Sequence, residues 1–208
     1  MRDDYDVIKG SLRQAYDHDV TRRDVRAPDA WRTGIIDQFA VELRQRALHS
    51  VIELGAGTGQ LAQHLRGQGF EVLATDLSPG NVAAIRRRGL AADVVDFSAL
   101  PYNDATFDAV LAMNSLLHVP KGACLHEVMG GIRRILRRGG LALIVVWGGR
   151  EHDGQMDNDW LEPPRYFSLY ADETFHGLQF VGFTTLRSEV LDVMSGDLHP
   201  QVKLLEAR

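Results

Sequence analysis

A turn with glycines at alternate positions links a short apolar strand to a helix in the first third of the chain. The strand is predicted at residues 51–54, and the turn carries Gly55, Gly57 and Gly59. Glycines allow the backbone to approach a ligand without a side-chain clash, and the start of the following helix offers free N–H groups. By itself the turn fits either a dinucleotide or a methyl donor.

The glycine spacing and two carboxylates favour a positively charged nucleoside. A dinucleotide fingerprint has its third glycine at the sixth position of the motif, where this chain has Gln60. Glu53 lies two residues before the first glycine, where it would repel a pyrophosphate and attract an ammonium or a sulfonium. Asp76 ends the next strand, and an acid there can accept hydrogen bonds from two ribose hydroxyls.

Several segments together resemble one enzyme family. The glycine turn is similar to motif I of the class I (Rossmann-like) S-adenosylmethionine-dependent methyltransferases of the small-molecule type, and Asp76 is similar to their ribose-binding acid. The close resemblance covers about residues 48–147. Three further stretches are similar to later motifs of the family: DVVDF at 93–97, NDATFDAV at 103–110 and LRRGGL at 136–141.

The resemblance implies S-adenosyl-L-methionine as the cofactor and S-adenosyl-L-homocysteine as the product. On this basis Asp96 would bind the adenine amino group, Phe97 would lie along the base, and Tyr16 would close over the methionine end of the donor. The predicted cofactor-binding residues are Tyr16, Glu53, Gly55, Ala56, Gly57, Thr58, Gly59, Asp76, Leu77, Ser78, Asp96, Phe97, Asn114 and Ser115.

Candidates for the acceptor side follow the fourth predicted strand and the polar loop near residue 160. Methyl transfer mainly requires alignment, and a base is needed only if the acceptor must lose a proton. His118 is the candidate catalytic residue, as a base or an orienting group, and it is also predicted to touch the acceptor. The alternative is a structural histidine beside the cofactor. Arg165, Tyr166 and Phe167 are predicted to line the acceptor pocket, with core packing as the alternative.

Short apolar runs alternate with helix-like segments, which is typical of a parallel sheet covered on both faces. Two consecutive strands near the C-terminus, with no helix between them, are most simply antiparallel. With the resemblance, this predicts an α/β, three-layer Rossmann-like methyltransferase fold, whose seven-stranded, mostly parallel sheet has an antiparallel C-terminal strand. The predicted strands lie at about 51–54, 70–75, 90–95, 107–113, 141–147, 184–191 and 202–208, and the predicted helices at 7–17, 29–46, 61–67, 79–88, 122–136 and 171–180.

A chain of 208 residues fits one domain. We expect a single methyltransferase domain over residues 1–208. Residues 1–47 would form an N-terminal helical cap, and residues 48–147 the cofactor-binding core. Residues 148–208 would form the acceptor side, with a loop, a helix and the C-terminal hairpin.

Composition limits the possible partners and environment. The net charge of −5 gives no general attraction to nucleic acid or to anionic membranes. One cysteine, Cys124, allows no intrachain disulfide, and no apolar run reaches transmembrane length. The sequence predicts a cytoplasmic protein, either a monomer or a homodimer. It predicts no metal site, and residues 157–159 are interpreted as part of a solvated loop.

Four functions remain in view. The preferred one is methyl transfer to a hydroxyl or amine group of a small molecule. The alternatives are a methyltransferase that acts on tRNA or rRNA, and a non-methylating module that binds S-adenosylmethionine. An NAD-dependent oxidoreductase is the least favoured, because of the glycine spacing and Glu53.

Overall fold

Two sheets, one large and one small, organise the computed structural model, which describes residues 2–156, 158–193 and 196–208. The large sheet has seven strands and the small one is a two-stranded ribbon. In chain order the strands are β1 (Ser50–Leu54), β2 (Glu71–Asp76), β3 (Ala91–Val94), β4 (Phe107–Met113), β5 (Leu136–Gly148), β6 (His152–Gln155), β7 (Tyr166–Leu169), β8 (Phe183–Val190) and β9 (His199–Ala207).

The large sheet has the predicted topology. Its strand order is β3-β2-β1-β4-β5-β9-β8. The strands β1 to β5 pair in parallel, whereas β9 is antiparallel to both of its neighbours. This arrangement confirms the predicted α/β fold, with its mostly parallel seven-stranded sheet and antiparallel last strand.

The described chain has six α-helices and a short 3-10 helix at Leu116–His118. The α-helices are α1 (Arg2–Asp24), α2 (Ala30–Gln45), α3 (Gln60–Gly67), α4 (Pro79–Arg87), α5 (Ala123–Ile135) and α6 (Asp172–Gly177). Two apolar clusters form the core, one on each face of the sheet. The first contains the apolar face of α5, and the second contains those of α2, α3 and α4. Because parallel strands end at one edge of the sheet, β1, β2 and β4 bring their carboxyl ends together.

The start of α4 shows how local sequence sets these helices. Ser78 has an extended backbone, and its hydroxyl accepts a hydrogen bond of 3.0 Å from the Asn81 N–H. Pro79 occupies the first turn, where a missing N–H has no cost. The helix therefore begins at the predicted residue, directly after the acid that ends β2.

Three predicted elements differ from the structure. The first helix was predicted at 7–17 but runs over Arg2–Asp24, because its ends make polar contacts that leave no apolar pattern. The predicted loop at 148–164 contains β6, which pairs with β7. The helix α5 ends at Ile135, and the LRRGGL segment at 136–141 belongs to β5, which was predicted to begin only at residue 141.

The prediction of a solvated loop at residues 157–159 is wrong for Asp159. Its side chain is only 2% exposed, because it forms an ion pair of 2.6 Å with Arg165. Asp157 lies outside the described residues. Within the described ranges, no three His, Cys, Asp or Glu side chains are placed to hold a metal ion. No helix over the same ranges is long and apolar enough to cross a bilayer.

Candidate donor and acceptor site

The glycine turn is held between the ends of β1, β2 and β4. The Ala56 N–H donates to the Thr75 carbonyl at 2.8 Å, which ties the turn to β2. Gly55 has a φ of 72°, in the left-handed region. A Cβ at this position would lie 2.4 Å from Cβ of Ser115, beyond the end of β4. Glycine is therefore required at position 55 by backbone conformation and by close contact.

Asp76 links the turn to α4. Its Oδ2 accepts a hydrogen bond of 2.8 Å from the Gly57 N–H, and its Oδ1 accepts from the Ser78 N–H at 2.9 Å and from Asn81 Nδ2 at 3.1 Å. Burial raises the pKa of Asp76, although these bonds oppose the shift. The predicted ribose acid is thus fixed at the carboxyl edge of the sheet. Leu77 follows it, and Thr58 is buried within the turn.

Three side chains near the turn have buried polar atoms without a partner. Within the described part of the chain, no hydrogen bond is made by Glu53 Oε2, by the amide of Asn114 or by Ser115 Oγ. Glu53 is 2% exposed, and burial, together with the charge of Asp76, raises its pKa to about 8. Unsatisfied buried polar groups are costly. An acid, an amide and a hydroxyl of this kind fit the ammonium group of an amino-acid ligand.

Asp96 lies beyond β3 and already has a charged partner. Its Oδ1 accepts from the Ser98 N–H at 2.8 Å, and its Oδ2 accepts from Lys9 Nζ at 2.6 Å. Burial by itself raises the pKa of Asp96, but Lys9 and Ser98 hold it below its usual range. Phe97 packs at the margin of the core beside this acid. Sequence reasoning had no signal for Lys9, because it lies 87 residues away on α1.

His118 is buried, and its hydrogen bonds define its protonation. Its Nδ1 lies 2.6 Å from the Tyr166 carbonyl oxygen, and its Nε2 lies 2.6 Å from the Tyr16 hydroxyl. Because a carbonyl only accepts, Nδ1 carries the hydrogen and Nε2 accepts from Tyr16. Burial lowers the pKa of His118 to about 3, so the imidazole is neutral at physiological pH.

Arg165 completes a chain of polar contacts with this histidine. Its Nη1 donates to the Tyr16 hydroxyl oxygen at 3.2 Å, and its Nε and Nη2 donate to the Asp159 carboxylate at 2.8 and 2.6 Å. Burial opposes the charged form, but the ion pair with Asp159 raises the pKa of Arg165 above its usual range. The ring of Phe167 lies 5.0 Å from that of His118.

The structure brings most of the predicted site residues to one edge of the sheet. The glycine turn, Asp76 and the ends of β3 and β4 lie there, and α1 carries Tyr16 across them to His118. Tyr166 contributes its carbonyl to the site, while its hydroxyl donates to Asp153 at 2.6 Å. Asp159 was missed because its neighbours are polar, which normally indicates solvent exposure.

Comparisons with known proteins point to one family. A family model described as a methyltransferase domain matches residues 52–144. A demethylmenaquinone methyltransferase of Beutenbergia cavernae is 34% identical over 118 residues, which cover 55% of this chain and 46% of that protein. A ubiquinone biosynthesis O-methyltransferase of Methylocella silvestris is 38% identical over 97 residues, which cover 44% of this chain and 37% of that protein. This chain thus spans less than half the length of these two relatives.

A solved structure has the same fold. The 1,6-didemethyltoxoflavin-N1-methyltransferase of Burkholderia thailandensis, solved with 1,6-didemethyltoxoflavin and S-adenosylhomocysteine bound, superimposes with a TM-score of 0.68. The match covers 95% of this chain and 88% of that one, at 22% sequence identity. Agreement over almost the whole of both chains extends the family's fold beyond residues 52–144.

The raised pKa of Glu53 predicts pH-dependent binding of S-adenosylhomocysteine. An ammonium group beside Glu53 favours its ionised form, so binding releases a proton whenever the free protein holds Glu53 neutral. Affinity should therefore rise with pH by up to about tenfold per unit between pH 6 and pH 8, and level off above that. Calorimetry at several pH values measures this slope. Glu53→Gln should flatten it, the exposed Glu151→Gln should not, and a wild-type affinity independent of pH contradicts the assignment.

The close contact at Gly55 predicts the effect of a single methyl group. Gly55→Ala should abolish measurable binding of S-adenosylhomocysteine, because the new Cβ displaces Ser115. The control is Gly69→Ala, where φ is 95° and nothing lies within 4 Å of the added Cβ. It should cost only the backbone strain, about 1–2 kcal/mol of unfolding free energy. The double variant Gly55→Ala/Ser115→Gly should regain part of the binding, because the clash is removed although the Ser115 hydroxyl is lost, and binding no better than that of Gly55→Ala would count against the contact.

The orphaned polar groups at the end of β1 and β4 fit the charged amino-acid part of S-adenosylmethionine, and Asp76 fits its ribose. The strand order and the family match agree with that fit. Residues 52–144 therefore match the methyltransferase-domain family, and the site at the carboxyl edge of the sheet fits S-adenosylmethionine.

Proposed function

We propose that this protein transfers the methyl group of S-adenosylmethionine to a hydroxyl or amine group of a small molecule. The relatives named above support a small acceptor, since their names refer to quinone biosynthesis and to a small heterocycle. The net charge of −5 supports the same proposal, because binding to RNA depends largely on neutralising phosphates.

The proposed donor site divides into three parts. Glu53, Asn114 and Ser115 would hold the ammonium group, Asp76 the ribose, and Asp96 with Phe97 the adenine. When bound, S-adenosylmethionine supplies a methyl group that its sulfonium has already activated. The protein's task is then to align the acceptor with that methyl group, and proximity alone can contribute roughly 7–11 kcal/mol. The backbone of the turn and of the start of α4 would enclose the donor, through Ala56, Gly57, Thr58, Gly59, Leu77 and Ser78.

The observation that carries the acceptor proposal is the direction of the hydrogen bonds at Tyr16. Its single proton goes to His118 Nε2, and Arg165 takes one acceptor position of its oxygen. One acceptor position of that oxygen is left. A group that fills it must itself donate a hydrogen bond, so the acceptor atom carries a proton. Hydroxyl and amine groups meet this condition.

The hydrogen bonds that join His118, Tyr16 and the acceptor are called the relay here. The low pKa of His118 determines how this relay works. A histidine with a pKa of about 3 is a weak base at neutral pH, so His118 orients Tyr16 in the resting state. For a hydroxyl acceptor, the oxygen becomes strongly acidic as the new bond to carbon forms. Its proton then passes to the Tyr16 oxygen while the Tyr16 proton passes to His118 Nε2. Tyr16 is thus the group that touches the acceptor, and His118 acts through it.

The proposal is tested by turnover. The protein is incubated with S-adenosylmethionine and with hydroquinones, phenols or amines, and S-adenosylhomocysteine is measured. Formation of this product together with a methylated small molecule is the expected result. Binding of S-adenosylhomocysteine without turnover of any acceptor would favour a non-methylating module. Methylation of tRNA or rRNA fragments would favour the nucleic-acid alternative.

Removal of the Tyr16 hydroxyl should separate catalysis from donor binding. Tyr16→Phe should lower kcat by roughly 10²-fold, the usual contribution of a positioned proton-transfer group. Affinity for S-adenosylhomocysteine should change less than twofold, because no donor contact is lost. The matched control is Tyr102→Phe, whose hydroxyl donates to Asp93 on the outside of the sheet. Unchanged kcat in Tyr16→Phe would refute the relay.

The ion pair between Asp159 and Arg165 should be worth far more stability than a surface pair. Asp159→Asn leaves the buried guanidinium without its counter-charge, which should cost about 3 kcal/mol of unfolding free energy. Asp104→Asn, in the exposed pair with Arg134, should cost less than about 1 kcal/mol. Urea denaturation measures both values. Equal losses in the two variants would show that Asp159 is not held as described.

A further inference from the structure

The inward face of α1 carries three polar side chains at intervals of seven residues. Lys9, Tyr16 and Arg23 lie nearly two helical turns apart from one to the next, so they share one face. From the first to the third, the helix rises about 21 Å. Each of them meets a different part of the site. Lys9 reaches Asp96, Tyr16 reaches His118, and Arg23 Nη2 would lie 3.4 Å from a Cβ on Gly57.

Other contacts hold α1 down on the sheet edge. Asp17 Oδ1 accepts hydrogen bonds from the Ser78 hydroxyl and, at 3.0 Å, from the Gly80 N–H at the start of α4. Near the end of α1, Asp24 forms an ion pair of 2.7 Å with Arg88. These contacts join α1 to the segment that follows the ribose acid.

With α1 in this position the donor groups are covered. Glu53, Asp76 and Ser115 are each less than 8% exposed. Two open cavities, of about 660 and 380 Å³, adjoin α1, and the glycine turn lines neither of them. Movement of α1 would therefore open these groups to a ligand the size of S-adenosylmethionine.

Lys9 competes for the acid that we assign to adenine. Its ammonium donates to Asp96 Oδ2 at 2.6 Å and to Ser98 Oγ at 3.2 Å. The adenine amino group is an uncharged donor, and it has to take the same carboxylate from a charged one. A charge-assisted hydrogen bond is the stronger of the two. In the free protein, Lys9 thus stabilises the covered state and opposes the adenine.

Arg23 differs from Lys9, because it is placed to attract the donor instead of opposing it. Over the described residues its guanidinium makes no hydrogen bond or ion pair, and it lies 4.9 Å from the centre of the Tyr16 ring. It is close enough to Asp76 and His118 to influence both electrostatically. The methionine part of the donor carries one anionic group, a carboxylate, next to the ammonium assigned to Glu53. An unpaired guanidinium over the glycine turn fits that carboxylate.

We propose that α1 is a movable cover of the donor site, which Lys9 keeps closed in the free protein and which Arg23 closes around the bound donor through its carboxylate. The proposal rests on the donor subsites assigned under the proposed function. It gives the two cations on one helix face opposite effects on donor affinity. Lys9 weakens binding, and Arg23 strengthens it.

Calorimetry with two ligands tests the proposal. S-adenosylhomocysteine has both the adenosine and the amino-acid part, whereas 5′-methylthioadenosine has the adenosine and the sulfur but no amino-acid part. Lys9→Met should bind both ligands about fivefold more tightly, because a partly buried ion pair no longer competes. Arg23→Met should bind S-adenosylhomocysteine about tenfold or more weakly, as expected for a lost charge-assisted bond, and 5′-methylthioadenosine unchanged. The control is Arg13→Met, an exposed cation of α1, which should change neither affinity.

Hydrogen exchange supplies a measurement that does not depend on the affinities. Amides of α1 should exchange faster in free Lys9→Met than in the free wild type, and should become protected in the wild type when S-adenosylhomocysteine is added. Weaker binding of both ligands by Lys9→Met would overturn the role of Lys9. Equal weakening of both ligands by Arg23→Met would overturn that of Arg23. These measurements need no methyl acceptor. The role of α1 and the proposed reaction can therefore be refuted independently of each other.

Discussion

The donor site is built around a buried carboxylate that the described chain leaves partly unpaired. Glu53 lies at the end of β1, and Oε2 has no partner among the described residues. The close approach of Gly55 to Ser115 brings the ends of β1 and β4 together beside it. An unpaired carboxyl in such a place destabilises the free protein. A cationic ligand pairs with the carboxyl and removes that cost. The stability that the free protein lacks therefore contributes to the binding free energy of the ligand.

The cover over this carboxylate is held by polar contacts more than by a core. Among its described side chains, α1 buries only three apolar ones, Tyr5, Leu12 and Ala15, although it has 23 residues. In contrast, α2 buries five apolar side chains in 16 residues. Ion pairs near the surface are worth little individually, and a helix held mainly by them opens at lower cost than one that shares the core. A stable sheet and a movable cover thus coexist in one chain.

The extent to which sequence predicts this site depends on how local each signal is. The placement of the glycine turn beside Asp76 was predictable, because both lie within one strand–turn–helix unit and the strand that follows it. The contact of Lys9 with Asp96 was not, because it joins segments 87 residues apart and depends on how α1 lies across the sheet. The prediction of solvent exposure for Asp159 was wrong for a different reason. Its polar neighbours indicate solvent, and only the folded chain supplies the Arg165 that buries it.

On the acceptor side, the main chain and the side chains have different roles. A main-chain carbonyl, that of residue 166, fixes the proton of His118 on Nδ1 and so sets the direction of every hydrogen bond towards Tyr16. That carbonyl is present whatever side chain occupies the position, so the polarity of the relay comes from the fold. The residue-specific part is the pair of Asp159 and Arg165, which fixes where the Tyr16 oxygen lies. Because that pair belongs to the loop between β6 and β7, the segment that would position the reacting group is separate from the sheet edge proposed to bind the donor.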